Sequence, residues 1–437
     1  MPSRNDPHPS SSRAVALDLL EAVWHRGRPL DEAIAGHRGL DALTSRDRAF
    51  VRALVGTCLR RQGQIDALID SRLEKPLKPS KARVRAILRL GVAQACFLSV
   101  PAHAAVSTTV ALAQGQGERP FRGLINAVLR RLSEGGAALI AEQDAARSNT
   151  PDWLWRSWSA AYGEAAARRS AEVQLRDPPL DLTLRHGEDP EAWAARLDAR
   201  VLPGGALRLA PGAGEVGRLS GYEEGAWWVQ DFAAGLPVRL FGALAGRTVL
   251  DLCAAPGGKT AQLAAAGAEV VALDLSESRL ERLRANLQRL GLGVATVVAD
   301  AATWRPPTPA EAILLDAPCT ATGTLRRHPD IARLRRPQDV AALTEVQDEL
   351  LRAAAAMLAP GGTLVYAVCS LQPEEGPERI ARLLQDKPAL TRHPLRAEEL
   401  HGLAELITPE GDLRSLPCHL AELGGMDGFY ACRLQRS

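Results

Sequence analysis

Two of the seven cysteines follow predicted buried strands, and they are the side chains best suited to nucleophilic chemistry. Cys319 ends the run Asp316-Ala-Pro-Cys319, and Cys369 lies in Tyr366-Ala-Val-Cys369-Ser370. A thiolate is the reactive form, and a free thiol, with a pKa of about 8.5, is mostly protonated at neutral pH. A nearby cation or helix N-terminus must therefore favour the thiolate, and Lys259 is the candidate cation. We interpret four other cysteines as small buried hydrophobic residues: Cys58, Cys96, Cys418 and Cys432.

One reaction that such a pair could perform is methylation of carbon 5 of a cytosine. This carbon is a poor nucleophile until a thiolate adds at carbon 6, which turns carbon 5 into an enamine carbon able to attack a methyl group. A base must then remove the proton on carbon 5 so that the thiol can leave, and a second cysteine or a water could serve. Asp316 is our choice for a carboxyl group near N3 that balances charge developing in the ring.

A glycine-containing run, Asp251-Leu-Cys-Ala-Ala-Pro-Gly-Gly-Lys-Thr260, joins a predicted strand to a predicted helix. Glycines there let the backbone approach a ligand closely, and the helix start directs N–H groups at it. A phosphate-binding P-loop needs a glycine five residues before Gly258, where this chain has Cys253, and no G-x-G-x-x-G run is present. The nucleotide triphosphatase and dinucleotide oxidoreductase interpretations are therefore both disfavoured.

Aspartates end further predicted strands, at Asp274, Asp300 and Asp316. A single aspartate after a strand is usually a helix N-cap, but several repelling carboxylates at one sheet edge cost stability unless a ligand uses them. S-adenosylmethionine (SAM) offers suitable groups: two ribose hydroxyls, an adenine amine and a cationic amino group beside its sulfonium. We therefore expect SAM to bind at these strand ends.

The second half of the chain supplies the elements that would position these residues. From Ala245 onward, short β-branched runs alternate with amphipathic segments such as Ser278 to Leu290, which predicts a doubly wound parallel sheet. In such sheets, ligands bind beyond the carboxyl ends of the strands. The candidate strands are Thr248 to Leu252, Glu269 to Leu273, Ala295 to Ala299, Ala312 to Leu315 and Thr363 to Val368.

The first part of the chain differs in both pattern and charge. From Ser12 to about Leu132 the apolar residues recur at helical spacing, which predicts an all-α bundle. Residues 1–132 hold 21 Lys and Arg against 11 Asp and Glu, a net charge of +10, which leaves −8 for the remainder of a chain whose total is +2. Such a split fits either a polyanion-binding module or ordinary solvated faces. Lys81, Arg85 and Arg89 lie four apart on one predicted helix face, where phosphate binding and simple solvation are the two alternatives.

These patterns predict three domains: a helical domain over 1–140, a small α/β connector over 141–235 and a catalytic α/β domain over 236–437. The connector begins with Trp153, Trp155 and Trp158, whose helical spacing is more typical of a core than of a base-stacking platform. Met1 to Ser12 is polar, and no later stretch is long and apolar enough to span a membrane. We expect a cytoplasmic protein without metal, since no C-x-x-C pair occurs.

Three runs closely resemble the RsmB/Sun-type RNA 5-methylcytosine methyltransferases. They are Asp251 to Thr260, Asp316-Ala-Pro-Cys-Thr-Ala-Thr-Gly-Thr-Leu-Arg-Arg-His-Pro-Asp-Ile331, and Tyr366 to Ser370 followed by Pro373-Glu374-Glu375. The resemblance implies that Cys369 attacks the base and that Cys319 helps to resolve the covalent adduct, the reverse of DNA cytosine methyltransferases. It also implies a SAM site formed by Cys253, Ala254, Ala255, Pro256, Gly257, Gly258, Lys259, Asp274, Asp300 and Asp316. Val368 departs from the family, which more often has Thr there.

The resemblance extends to the front of the chain. Residues 12–132, including Leu43-Thr-Ser-Arg-Asp-Arg48 and Leu124-Ile-Asn-Ala-Val-Leu-Arg130, look like the NusB-type helical RNA-binding domain. This implies small-subunit ribosomal RNA as substrate. Separately, we expect a monomer. Arg326, Arg327 and His328 are then expected at the RNA backbone, with an intramolecular salt bridge as the alternative. Rival functions are the same chemistry on tRNA or on another rRNA site, and a non-catalytic RNA-binding assembly factor; a DNA methyltransferase is the least favoured.

Overall fold

The structure, a computed structural model, describes residues 11–437. Most of the polar start Met1 to Ser12, on which the expectation of no export signal depends, lies outside the described residues. The chain divides into two compact units. We call the first the helical unit; it holds the chain up to Ser159 together with Ala167–Leu175 and His328–Arg335. The second, the α/β unit, holds Ala160–Ala166, Arg176–Arg327 and Arg336–Ser437. The three-domain division with boundaries at 140 and 235 stays a prediction.

Helices form the first part of the chain, as the 3.6-residue spacing of apolar side chains predicted. Ser11 caps the first helix by accepting the Ala14 N–H, and Gly27 ends it in the left-handed conformation at φ +63°. Their bounds are α1 Ser12–Arg26, α2 Leu30–Ala35, α3 Arg38–Asp41, α4 Ser45–Arg60, α5 Gln62–Asp70, α6 Ala82–Val92, α7 Ala102–Val110, α8 Arg122–Ala141, α9 Ala145–Asn149, α10 Asp152–Tyr162 and α11 Glu164–Gln174. The predicted all-α bundle is confirmed.

A short segment from the second half of the chain belongs to the helical unit. It contains α16 (Ile331–Leu334), numbered here by its place in the chain. Asp330 accepts the Leu30 N–H at 2.9 Å, and the Arg333 guanidinium donates to the Asn149 carbonyl at 3.1 Å. Leu334 packs against the apolar core of the bundle. This segment is therefore held by polar contacts and by apolar packing.

After Arg176 the α/β unit contains a small antiparallel sheet and α12 (Pro190–Leu197), within the stretch predicted as an α/β connector. Its strands are β1 Leu180–Leu184, β2 Ala199–Val201, β3 Leu207–Leu209 and β4 Trp227–Val229, in the order β2-β3-β1-β4. Trp193 of α12 and Trp227 of β4 belong to its apolar core. Of the three earlier tryptophans, Trp155 and Trp158 are buried in the helical unit, as their spacing suggested, whereas Trp153 is only half-buried.

The main sheet has the order β10-β12-β9-β8-β5-β6-β7, with β11 paired to β12. Strands β5 to β9 pair in parallel, which confirms the predicted doubly wound core. Strands β10 to β12 pair antiparallel and extend the sheet beyond that prediction. The bounds are β5 Thr248–Leu252, β6 Glu269–Asp274, β7 Ala295–Val298, β8 Ala310–Asp316, β9 Leu358–Val368, β10 Leu390–Arg392, β11 Leu413–Ser415 and β12 Phe429–Arg436.

Helices cover both faces of this sheet, so the central strands are buried on both sides and read as continuous apolar runs. Residues of α13 and α15 share one apolar core with the sheet, and residues of α17 and α18 share the other. The helices are α13 Phe232–Arg239, α14 Gly258–Ala265, α15 Glu277–Leu290, α17 Pro337–Met357 and α18 Pro377–Asp386. Within residues 11–437 no helix has the length and apolar character needed to cross a membrane.

Candidate active site

The two cysteines predicted to take part in the chemistry lie together at one edge of the main sheet. Cys319 follows β8 and Cys369 follows β9, and these neighbouring parallel strands end at the same edge. Their Sγ atoms are 3.5 Å apart, within hydrogen-bonding distance for thiols. Both side chains are partly exposed, so a substrate atom could reach them.

The environment of Cys319 favours its protonated thiol. The hydrogen bond to Cys369, and then burial, raise the pKa of Cys319 well above its ordinary value. A protonated Cys319 can donate its S–H to Cys369 Sγ, which stabilises negative charge on Cys369. Cys319 is thus suited to donate the hydrogen bond between the two thiols, with Cys369 as the acceptor.

Close backbone contacts fix the loops that carry the thiols. Gly323 donates its N–H to the Cys369 carbonyl at 3.0 Å, and its own carbonyl accepts the Gly428 N–H at 2.8 Å. A Cβ atom at Gly323 would lie 1.9 Å from the Gly428 carbonyl oxygen, so any larger residue would push these segments apart. The segment after Cys319 is therefore locked to the segment after Cys369.

Lys259, the predicted cation, pairs with Asp316. The Nζ–Oδ2 distance is 2.8 Å, and the Lys259 ammonium also lies 4.9 Å from the centre of the Phe429 ring. The lysine side chain is 10% exposed and the Asp316 side chain 31% exposed, so the carboxylate is the more accessible partner. The lysine charge is thus engaged by Asp316, and the structure gives Cys369 the Cys319 thiol as its side-chain partner.

The glycine loop passes tightly from β5 to α14. Cys253 has φ +63° and Gly257 has φ +101°, both in the left-handed region. A Cβ at Gly257 would lie 2.8 Å from the Leu283 side chain, so glycine is required there. Ala255 donates its N–H to Asp274 Oδ2 at 3.1 Å, which ties the loop Cys253 to Lys259 to the end of β6.

The aspartates at the strand ends differ in accessibility. Asp274 is 2% exposed and also accepts the Ser276 N–H at 3.0 Å, whereas Asp300 is exposed and accepts the Ala302 N–H at 2.9 Å. Each bond uses only part of what a carboxylate can accept. The two residues keep acceptor capacity for hydroxyl or amine donors.

A fourth aspartate, Asp251, carries a buried oxygen that lacks a partner. Its Oδ2 accepts the Thr260 hydroxyl at 2.6 Å, but among residues 11–437 nothing hydrogen-bonds to its Oδ1. Burial raises the pKa of Asp251 to about 7. A buried acceptor beside the glycine loop, together with carboxylates at the next strand ends, fits a ligand rich in hydroxyl and amino donors, as SAM is.

The predicted cationic face of α6 is engaged within the helical unit. Arg85 contacts Asp70 at 2.7 Å and Asp66 at 3.1 Å. Arg89 contacts Asp66 at 2.8 Å and lies over the Trp24 ring. The two arginines therefore hold α6 against α5. Lys81 has its Nζ 5.2 Å from the centre of the Phe121 ring, and contact of Lys81, Arg85 and Arg89 with RNA stays a prediction.

Arg326 forms the intramolecular salt bridge that was the alternative to an RNA contact. It is 1% exposed, pairs with Asp231 at 2.6 Å and lies 3.4 Å from Asp427. A phosphate cannot reach a guanidinium buried in this way. Arg327 pairs with Asp427 but is 35% exposed. His328, in the helical unit, lies 3.3 Å from Asp31.

Sequence reasoning missed the acids of this network. Asp231 caps α13 and Asp427 precedes β12, and both are buried. The two acids lie about 100 residues from Arg326 on either side, at separations of 95 and 101. No local pattern could have indicated the pairing, since neither acid follows a strand of the parallel core.

Two family models match the chain. Residues 242–435 match the model described as 16S rRNA methyltransferase RsmB/F, and residues 10–134 match the NusB family. With a parallel sheet whose glycine loop and strand-end acids fit SAM, the protein is a SAM-dependent methyltransferase with a NusB-type helical region.

Curated relatives specify the family. The chain is 38% identical to ribosomal RNA small subunit methyltransferase B of Pseudomonas putida, over 97% of this chain and 98% of that protein. It is 37% identical to the protein of the same name from Vibrio cholerae, over 86% of this chain and 89% of that protein. The chain belongs to the ribosomal RNA small subunit methyltransferase B family.

Solved structures share the fold at low sequence identity. The crystal structure of PH0851 matches with a TM-score of 0.74 and 22% identity over 99% of this chain and all of that one. The crystal structure of NSun6 from Pyrococcus horikoshii with SFG matches with a TM-score of 0.55 and 18% identity, over 65% of this chain and 98% of that one. Both matches concern the fold alone.

Proposed function

We propose that this protein methylates carbon 5 of a cytosine in small-subunit ribosomal RNA, in the cytoplasm, through a covalent adduct with Cys369. The observation that carries the proposal is the 3.5 Å separation of the Cys319 and Cys369 thiols. The names of the curated relatives support the choice of RNA. The net charge of +10 over residues 1–132 supports a polyanionic substrate.

In the first step, Cys369 acts as the nucleophile. Its thiolate forms the S–C6 bond with its own electron pair, and the pair of the C5–C6 double bond moves into the ring, so that carbon 5 becomes nucleophilic. As negative charge develops on the ring, N3 takes up a proton from water, and the Asp316 carboxylate, held in place by Lys259, would accept the hydrogen bond of that N3–H group. SAM, when bound, supplies the methyl group.

The second step returns the enzyme to its starting state. A base takes the proton from carbon 5, the C5–C6 double bond re-forms, N3 gives its proton back to water, and the S–C6 electron pair returns to Cys369 as a thiolate. Cys319 suits this role because the first cause of its raised pKa is its hydrogen bond to Cys369. That hydrogen bond and the repulsion from a thiolate disappear while Cys369 is bound to carbon. Cys319 can then release its proton to water and accept the one from carbon 5.

The loop and the strand ends would hold SAM. Asp274 and Asp300 suit the ribose hydroxyls and the adenine amine, and the unpartnered oxygen of Asp251 suits an amino group. The backbone from Cys253 to Lys259 lines the start of α14, where N–H groups face outward. These residues would bind and orient SAM, whereas the two cysteines and Asp316 would take part in the proton and electron transfers.

Trapping the adduct tests the proposal. Cys319→Ala protein is incubated with SAM and unmodified small-subunit ribosomal RNA, and a denaturing gel is examined for protein linked to RNA. We expect a SAM-dependent shifted band that disappears when Cys369 is also replaced by Ala. The matched control is Cys58→Ala in the same Cys319→Ala protein, at a buried cysteine of the helical unit, and this variant should keep the band. Absence of the band, with no methyl transfer by the wild-type protein to any rRNA or tRNA, would favour the non-catalytic RNA-binding function.

A further inference from the structure

Glu375 is a fully buried carboxylate between the two cysteine loops. It ends the short turn Pro373–Glu375 after Cys369 and is 0% exposed. Its Oε1 accepts the Thr320 N–H at 2.8 Å and the Gln347 side-chain amide at 3.2 Å. Its Oε2 accepts the hydroxyls of Thr320 and Ser370. Four donors therefore converge on one side chain.

Two of these partners directly follow the two thiols in the chain. Thr320 is the residue after Cys319, and Ser370 is the residue after Cys369. We propose that Glu375 is a positioning residue that sets the distance between the two thiols by holding both loops to one carboxylate. The catalytic meaning of this role rests on the proposed function, but the geometric role does not.

The carboxylate is itself anchored on two sides. The Tyr366 hydroxyl of β9 donates to the Glu375 carbonyl at 2.6 Å. Gln347 of α17, besides contacting Glu375, donates to the Pro318 carbonyl at 2.9 Å, one residue before Cys319. Glu375 is thus fixed to the sheet and to a covering helix, and it can hold the two loops rather than move with them.

The role predicts different effects for glutamine and alanine at this position. In Glu375→Gln the amide oxygen can accept the Thr320 N–H and the Gln347 amide, and the amide nitrogen can donate to the two hydroxyls, which also accept. The loops then keep their positions without the negative charge. Glu375→Ala leaves four buried groups without their partner, and the loops must rearrange. If the charge itself acted in the chemistry, glutamine would be as harmful as alanine.

Phenylarsine oxide measures the thiol separation without RNA or SAM. Its arsenic binds two neighbouring thiols together, with two S–As bonds formed, two thiol protons taken up by the oxide oxygen and one water released. We expect capture of Cys319 and Cys369 by the wild-type protein, read by mass spectrometry of the peptides, and none after Cys369→Ala. Capture by Glu375→Gln should stay within about 3-fold of wild type, and capture by Glu375→Ala should fall by about 10-fold or more.

Asp412→Asn is the matched control. Asp412 is also a buried carboxylate of the α/β unit, and it accepts the Tyr430 hydroxyl at 2.6 Å. We expect this variant to lower thermal stability while leaving arsenical capture unchanged. Ser370→Ala, which removes one hydroxyl only, provides a milder second variant should Glu375→Ala fail to fold, and it should weaken capture in the same direction.

Kinetics with RNA and SAM complete the test. We expect Glu375→Ala to lower kcat by about 100-fold, as misplacement of reacting groups by about 1 Å does, with the KM for SAM unchanged and with substantial rescue by glutamine. Equal capture by wild type and Glu375→Ala would overturn the proposal. Glu375-dependent capture by a protein that transfers no methyl group would overturn the proposed function and leave this inference standing.

Discussion

Replacement of Arg326 by Met tests whether this arginine supports the fold or binds RNA. Its guanidinium contacts Asp231 at 2.6 Å and donates to the Gly424 carbonyl at 2.9 Å, inside the α/β unit. Burial raises the pKa of Asp231, but the charges of Arg326 and Arg327 outweigh burial and lower it below the usual range. Met has a similar length without charge, so the variant removes the ion pair with little change in packing.

The expected loss of stability follows from that geometry. Two unit charges about 2.6 Å apart attract by about 6 kcal/mol at an effective dielectric constant of about 20, and desolvation offsets part of this. Breaking a buried pair by removing one partner costs about 3 to 5 kcal/mol. Asp231 keeps two backbone donors, from Ala233 and Asp427, so we expect the lower end, about 3 kcal/mol. Arg327→Met, at the more exposed neighbour, should cost about 1 kcal/mol.

Urea denaturation and RNA binding at several salt concentrations separate the two roles. We expect Arg326→Met to lower the free energy of unfolding while the slope of RNA affinity against salt stays as in the wild type. Asp231→Asn combined with Arg326→Met should show a coupling energy of about 1 to 3 kcal/mol. Unchanged stability together with a salt slope reduced by about one phosphate contact would refute the structural assignment.

Two further predictions concern Asp251 and the face of α6. Burial raises the pKa of Asp251 to about 7, so the folded protein holds a proton there that the unfolded chain releases near pH 4. The free energy of unfolding should therefore fall by up to about 4 kcal/mol as the pH rises from about 4 to about 7. Asp251→Asn should flatten this dependence in urea titrations between pH 4 and 8, and an unchanged profile would contradict the assignment. Arg89→Ala should cost about 1 to 3 kcal/mol of stability by removing its pair with Asp66, whereas Lys81→Ala should leave stability unchanged and weaken RNA binding in filter assays. The reverse pattern would exchange the roles of the two residues.

The parallel core could be predicted because local sequence determines it. Each central strand is a short apolar run followed by an aspartate or a cysteine, and parallel strands bring these ends to one edge of the sheet. The same reasoning predicts that Cys319 and Cys369 lie at one edge of the sheet. It could not give the 3.5 Å contact, because that distance depends on Gly323 packing against the Gly428 backbone.

The remaining features depend on contacts distant in the chain. Strands β10 and β11 are three residues long and carry no recognisable alternation, so their pairing with β12 was not predicted. The ion pairs that Arg85 and Arg89 form with α5 could have been predicted from the sequence. Asp66 and Asp70 are also four residues apart on that preceding helix. Two matched pairs at helical spacing indicate a contact between helices as readily as a phosphate-binding face.

The pairing of Lys259 with Asp316 changes where the activation of Cys369 must be sought. A lysine held at 2.8 Å by a carboxylate has its charge largely compensated, so Lys259 acts on Asp316 more than on the thiol of Cys369. The hydrogen bond from Cys319 and the charge of Arg327, whose pKa Cys369 helps to raise, are then local sources of stabilisation for a Cys369 thiolate. In that arrangement one residue serves both halves of the proposed reaction, as hydrogen-bond donor before attack and as base after transfer. The distance between the two thiols, and hence Glu375, then bears on both the attack and the release.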